Sequence, residues 1–564
     1  MRLGMKFGAV ALLLGLCIGC AHHSTARAGD SDPFDEPGWY NGERVQIHTR
    51  ARIHRKRLPP QDDIFWQLPA QVKRIGANVS VRHIKGSCEG VWWPSAVGQM
   101  DEVAAQFEGD LAEHLIGSAH AQGIKQIVYY RHFCDKWAME HRPDWIVRDR
   151  SGAPVVKQGH DRPYPYMSLA SPFADYAITH MSELAQRGAD GFYFDEIHTG
   201  REGDFSEFAQ HRYREQYGRD LLSVDEREVQ RFRQQLIAEF IGRAVDTLHE
   251  INPDIVTLMS VNTVNLDNLR IADAPKYEDS FNNWLGGLES TATVLSDVGE
   301  GYPHMWRGPA EQDSLYTAAR YMTFGAIYNR DIREREFFSV PHDLHNEYRD
   351  LFELSRKISP AMADVKPYRF ARVLLNGEFP VRQVPLDGQI VDRWRELIAA
   401  RIPAGYLSLG QISESGIPAD TQVLVVPEGN GWEAPMDLSP SVKSALTEFE
   451  KGGGLVLWSE DLDEGGWLKT IKDRPVPIVA KGGEENLGMA VYRNSDGTKY
   501  VINISAHHSK DVTLSLSSEF FKNPVSAHEN VSGQELEIRK SATGQWEINL
   551  LEIETMAQVV VSLE

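Results

Sequence analysis

Between residues 44 and 355 the sequence alternates short apolar runs with longer stretches of helical periodicity, and this alternation constrains the fold more than any other feature. The clearest strands are Val45 to His48, Ala77 to His83, Lys125 to Arg131, Asp190 to Asp195 and Ile255 to Val261. Between them lie amphipathic segments such as Asp225 to Glu250. There Val229, Phe232, Leu236, Phe240, Ala244 and Leu248 recur at helical spacing and share one face. Such alternation, without internal repeats, predicts a (β/α)8 barrel in preference to a doubly wound sheet. No glycine-rich phosphate loop follows the first strand, which argues against a nucleotide fold.

The chain is 564 residues long, too long for one core, and a boundary falls near Lys357 to Pro367, where Pro360 and Pro367 punctuate it. Gln422 to Pro427 then reads as a buried parallel strand. A helix from Ser439 to Lys451, the Gly452-Gly453-Gly454 turn and a strand from Leu455 to Trp458 complete one α/β unit. From about Gly483 the pattern turns to short alternating strands with a hairpin at Asp496-Gly497, as in a small β-sandwich. The expected order is a leader and linker over 1–28, a (β/α)8 barrel over 29–358, a small α/β domain over 359–478 and a C-terminal β-sandwich over 479–564.

The amino terminus reads as a targeting segment. Arg2 and Lys6 precede an apolar stretch from Phe7 to Ile18 that is too short to span a bilayer. The Ile18-Gly19-Cys20 ending resembles a bacterial lipoprotein signal with Cys20 as the lipidated residue, although Cys17 stands where that pattern prefers leucine. Cleavage near Ala28 by an ordinary signal peptidase is the alternative. Either route predicts an exported protein, periplasmic or on the outer membrane, whose only membrane contact is a lipid anchor. Export permits a disulfide, so Cys88 and Cys134 are read either as a bridge between neighbouring loops or as two buried thiols. The formal net charge of -21 argues against nucleic acid as a partner.

Three strand ends carry chemistry. The run Gly191-Phe192-Tyr193-Phe194-Asp195-Glu196-Ile197-His198 is an apolar strand ending in two acids and a histidine, at the end where parallel barrels keep their active groups. Successive strand side chains alternate, so Asp195 goes with Tyr193 and Glu196 with Phe194, and only one pair can face the barrel axis. The plainer reading is that one acid caps the next helix or pairs with an arginine. Ser80-Val81-Arg82-His83-Ile84-Lys85, followed by Gly90-Val91-Trp92-Trp93-Pro94-Ser95, suits a sugar site, with indoles stacking on sugar faces and basic groups bonding hydroxyls. There the plainer reading is a packed rim. The third end is Tyr130-Arg131-His132-Phe133, with Trp137 and Pro143-Asp144-Trp145 beyond it.

Arg82-His83 leading into Gly90 through Ser95, followed by Tyr193-Phe194-Asp195, resembles the barrel of family 29 α-L-fucosidases. This chain departs from that family's His-His-Asp-Gly run by carrying Ile84-Lys85 and a cysteine-containing insertion. Closer still is the hypothetical glycosyl hydrolase barrel group that includes family 151 α-L-fucosidases. The matching segments are Gly76-Ala77-Asn78-Val79, Ala119 through Lys125, Arg142-Pro143-Asp144-Trp145 and Asp190 through Asp195. The 359–478 segment is similar to the amidotransferase-like domain of family 42 β-galactosidases, which implies a homo-oligomer formed through it.

The resemblance implies a cofactor-free, retaining, exo-acting glycosidase on oligo- or polysaccharides, with Asp195 as nucleophile and a second carboxyl about 5 to 5.5 Å away as acid/base. Glu278, in Lys276-Tyr277-Glu278-Asp279-Ser280 after a predicted sixth strand, is the candidate; Glu196, Asp279, Glu89 and Glu300 compete. His48, His83, Lys85, Arg131, His132, Tyr193 and His198 would bond the sugar, and Trp92, Trp93 and Trp306 would line it. A β-galactosidase-like enzyme using Glu196, an enzyme acting on a sulfated polysaccharide, and a glycan-binding surface lipoprotein without turnover are the other readings. A Gly-x-Ser-x-Gly elbow is absent, which disfavours an esterase or peptidase.

Overall fold

The computed structural model of the chain describes residues 46–49, 57–85, 88–131, 134–157, 164–195, 197, 202–261, 264–278, 288–299, 304–307, 315–332, 342–378, 388–428, 438–462, 466–484 and 487–564. Eight parallel strands close into a barrel: β1 (Gln46–Thr49), β2 (Val79–His83), β3 (Lys125–Arg131), β4 (Gly191–Asp195), β5 (Val256–Ser260), β6 (Ala274–Glu278), β7 (His304–Arg307) and β8 (Ile327–Ile332). They follow one another around the barrel in chain order, with β8 closing on β1. The first five strands lie within two residues of the ranges expected from apolar runs.

Helices cover the outside, among them α1 (Ile64–Arg74), α2 (Leu111–His120), α3 (Phe173–Gln186) and α4 (Glu226–Ile251). Local chemistry sets where they begin. Asp63, Asp110 and Asp225 stand just before α1, α2 and α4, and each carboxylate accepts a first-turn backbone N–H, from Phe65, Glu113 and Glu228 respectively. All six apolar residues that mark the periodicity of α4 are buried. Gly188, at φ +90°, makes the left-handed turn between α3 and β4. Gly191 then lets β4 lie close to β5, since a Cβ there would sit 2.6 Å from the Val256 carbonyl oxygen.

Beyond the barrel, β9 (Val365–Tyr368) precedes a parallel sheet of β10 (Ala371–Leu375), β11 (Ala404–Ser408), β12 (Val423–Val426) and β13 (Leu455–Trp458), in the order β11-β10-β12-β13. A helix over Pro440–Lys451, capped by Ser439, joins β12 to β13 as the sequence pattern predicts. The last segment forms two antiparallel sheets. One contains β14 (Ile478–Lys481), β17 (Ser509–Leu516), β20 (Ile538–Lys540) and β21 (Trp546–Ile553). The other contains β15 (Gly488–Asn494), β16 (Lys499–Ser505), β18 (Pro524–Glu529), β19 (Gln534–Glu535) and β22 (Met556–Leu563), and takes β9 as its edge strand.

The fold class expected from sequence is therefore the one observed, with one refinement of the boundary. Strand β9 falls in the 359–478 segment yet pairs with β15, so the parallel sheet is inserted after the first strand of the β-sandwich. The barrel meets the inserted sheet through a buried ion pair between Asp297, on the helix Leu288–Val298, and Arg369, at 3.1 Å. The same carboxylate accepts the Tyr406 backbone N–H at 2.9 Å.

Candidate active site

Register fixes which side chains share a level in the barrel. His83, Tyr129, Tyr193, Leu258 and Ala274 are Cα partners from β2 to β6. The His83 and Tyr129 rings lie 3.9 Å apart, the Tyr129 and Tyr193 rings meet edge to face at 5.2 Å, and Lys276 Nζ stands 4.2 Å from the Tyr193 ring centre. Strands β4 and β6 are separated by β5, so the Lys276–Tyr193 contact crosses the barrel interior. Alternate residues point the other way. Arg82 donates to the Phe65 carbonyl on α1 at 2.8 Å, and the Tyr130 hydroxyl lies 2.9 Å from His180 Nδ1 on α3.

Strand parity thus puts Asp195 and Tyr193 on the inside, the question that alternation alone left open. Asp195 ends β4, is only 4 % exposed, and accepts hydrogen bonds from the Tyr129 hydroxyl and, at 3.4 Å, from the Tyr193 hydroxyl. Lys276, fully buried, sits two residues before Glu278, the last residue of β6. The result is a carboxylate held by two phenols at the carboxyl end of the barrel strands, with the His83 imidazole beside Tyr129 and the Lys276 amine reaching Tyr193 from across the barrel. Hydroxyl donors favour a charged, oriented carboxylate, the form that can act as a nucleophile.

Other expected site residues fall elsewhere. Lys85 is buried outside the barrel wall, 3.2 Å from Asp135, and its ammonium serves that carboxylate rather than a sugar. Burial alone would raise the Asp135 pKa, but Lys85, His180, the Ala138 backbone N–H and the Tyr176 hydroxyl outweigh it and hold the carboxyl below its ordinary range. Burial pushes the His180 imidazole down to about 4.

Trp92 and Trp93 are also corrections. Trp93 is fully buried, with its indole N–H donating to Glu183 at 2.6 Å and its ring edge-on to His180; Trp92 packs edge-on to Phe65. Neither presents a face on which a sugar could stack, so the packed-rim reading holds for both. Cys88 and Cys134 form a disulfide that ties the β2 and β3 loops beside this buried belt. Glu89 lies next to it and accepts from the Tyr164 hydroxyl at 3.4 Å.

For His48, Arg131, Glu278 and Trp306 the backbone alone is described. His48 pairs with Val81 and Asp331, Arg131 with Asp195, and Glu278 with Trp306. Cys20, His132, Glu196, His198, Asp279 and Glu300 lie outside the described residues. Tyr129 and Lys276 had no assigned role in the sequence reading. Tyr129 was findable, since it shares strand parity with Arg131; Lys276 is a lone lysine within a short strand.

Residues 66–196, which span β2 to β4 and the buried belt, match the family described as hypothetical glycosyl hydrolase 6. The barrel segment is thus similar to that of a glycosyl hydrolase family. Solved structures agree on the whole fold. The α-L-fucosidase isoenzyme 2 from Paenibacillus thiaminolyticus superposes with a TM-score of 0.72 at 11% identity, over 93% of this chain and 100% of that one. A β-galactosidase from Bacillus circulans sp. alkalophilus gives 0.61 at 12% identity, over 92% and 99% of the two chains. The GH42 β-galactosidase Gan42B from G. stearothermophilus gives 0.63 at 11% identity, over 92% and 98%. No curated protein sequence matches the chain. In this (β/α)8 barrel, Asp195 occupies the carboxyl end of a strand, where such folds place reacting groups.

Proposed function

We propose that the chain is an exported, retaining, exo-acting glycoside hydrolase of α-L-fucosidase-like specificity, with Asp195 as nucleophile and Glu278 as acid/base. The observation that carries this reading is the Asp195 carboxylate itself, inward-facing at the end of β4 and held by the Tyr129 and Tyr193 hydroxyls. One carboxylate oxygen attacks the anomeric carbon while the bond to the leaving oxygen breaks and the acid/base protonates that oxygen. Water, deprotonated by the same acid/base, then attacks the glycosyl ester, releasing the sugar and restoring Asp195. His83 and Lys276 supply polar groups for the sugar's hydroxyls. No cofactor is required by this sequence of steps.

The test is hydrolysis of a panel of aryl glycosides comprising α-L-fucoside, β-galactoside, α-galactoside and β-glucuronide, by the wild type and by Asp195→Asn. Release from the fucoside, lost in the variant, is expected. Release from the β-galactoside would keep the chemistry and change the sugar, in line with the β-galactosidases that share the fold. Asp195→Ala rescued by azide, with Glu196→Ala still active, would fix the nucleophile; the opposite pattern would move it to Glu196.

A further inference from the structure

A cavity of about 600 Å³ lies where the inserted parallel sheet meets the β-sandwich, and none of its lining residues belongs to the barrel. Three chain segments build it: the turn after the helix Gly388–Ala399, the link from the helix Gly466–Lys472 into β14, and the end of β17 facing Gln545. Its charge is opposite to that of the whole molecule. Arg401, Lys472, Arg474 and Lys481 line it against the single carboxylate of Glu519, on a chain whose formal net charge is -21.

These cations are weakly neutralised. Arg401 spends its guanidinium on the carbonyls of Ala480, Gly482 and Glu484 at 3.0, 2.6 and 3.2 Å, and Arg474 donates to the Gly453 carbonyl at 3.0 Å. Carbonyl partners fix a guanidinium in place while leaving its full charge. Lys481 reaches Glu547 only at 3.8 Å, with its own side chain 60% exposed. Basic residues after helix carboxyl termini have a local reason to exist, which accounts for Arg401 and Lys472. It does not account for Lys481, which stands on β14.

The rest of the lining suits a sugar ring better than a bare ion. Ser515, Ser517 and Gln545 offer hydroxyl and amide groups, while Pro475, Val476, Val479 and Ala480 give an apolar wall. The volume falls within the range of small-molecule sites. We propose that this cleft is an accessory binding site for an anionic saccharide, carboxylated or sulfated, through which the protein holds a charged glycan away from the barrel. The choice of a saccharide rests on the glycoside-hydrolase reading; the charge and shape of the cleft do not.

Calorimetric titration of the full chain carrying Asp195→Asn tests this, with four probes: a hexagalacturonate, a chondroitin 4-sulfate hexasaccharide, cellohexaose and inorganic sulfate. Saturable binding of at least one charged hexasaccharide is expected, about tenfold or more weaker in Lys472→Glu/Lys481→Glu and weakened by salt, with no binding of cellohexaose. Both lysines are exposed, so the double variant should fold, and it should hydrolyse aryl glycosides like the wild type. Failure of both charged hexasaccharides to bind would overturn the proposal. So would equal affinity in the charge-reversed variant, or inorganic sulfate binding as tightly as the sugars. If the wild type cleaves no glycoside while the charged hexasaccharides bind as expected, the catalytic reading falls and the cleft stands.

Discussion

The inner wall around Asp195 and the belt beneath α3 around Asp135 are made from the same residue types, yet they lie on opposite faces of the barrel strands. Each has a carboxylate, a histidine, a lysine and tyrosines, and burial does not separate them: Asp195 is 4 % exposed and Asp135 2 %. The difference lies in strand parity and in what closes the site. Tyr129 and Tyr130 are neighbours on β3, but one bonds Asp195 inside the barrel and the other bonds His180 outside it. The outer carboxylate is matched by Lys85 at 3.2 Å and by the hydroxyl of Tyr176, on α3, at 2.9 Å. The same titratable residue types therefore build a packed ion-pair belt on one face of β3 and a carboxylate held by two phenols on the other.

The largest expected effects run in opposite directions in the two regions. Asp195→Asn should lower kcat by on the order of a thousandfold or more while leaving the denaturation midpoint nearly unchanged. Lys85→Ala should do the reverse. It strands Asp135 in the interior, at a cost of about 3 to 5 kcal/mol measured by urea denaturation, with normal turnover per folded molecule. A Lys85→Ala protein as stable as the wild type but inactive would collapse the distinction and return Lys85 to the sugar site.

Much of the barrel was legible because its signals are local. Apolar runs and the helical spacing of α4 each depend on a few neighbouring residues, and the ordering of strand and helix then implies closure. The sequence brings Asp195 and His83 to neighbouring strand ends, where the structure has them on the inner wall, but gives no sign that Lys85, Trp92 and Trp93 belong to the outer belt. A basic strand end followed by paired tryptophans has the same composition whether the rings line a cleft or fill the space under a helix. Glu183, which takes the Trp93 indole, lies 90 residues further along the chain, and no local pattern connects the two. Strand β9 escaped for a similar reason, since its partner β15 follows the whole inserted sheet.

His180 sharpens the comparison by pH. Its ordinary value is 6.5 and burial lowers it to about 4 in the fold, where it faces Tyr130, Tyr176, Asp135, Lys85 and Glu183. Above 6.5 the imidazole is neutral in both folded and unfolded chains and contributes no pH dependence. As the pH falls from 6.5 towards 4, the unfolded chain takes up a proton that the folded chain refuses, and stability falls by up to about 3 kcal/mol. His180→Gln should remove that part of the slope. Parallel stability curves for variant and wild type across this window would show that the belt opens to solvent before His180 titrates.

The smallest effects separate the adjacent tyrosines. Tyr129→Phe deletes one donor to a charged carboxylate, worth about 1.5 to 3 kcal/mol, so kcat should fall about tenfold to a hundredfold with little change in stability. Tyr130→Phe deletes a hydrogen bond between neutral groups and should cost about 1 kcal/mol of stability with kcat intact. The two variants differ by one position and by no change of chemistry, so a difference in readout can come only from the face of β3 on which each hydroxyl sits. Equal losses of activity would mean that the belt and the inner wall move as one unit. Equal losses of stability alone would remove Tyr129 from the reaction and leave Asp195 to be oriented by Tyr193.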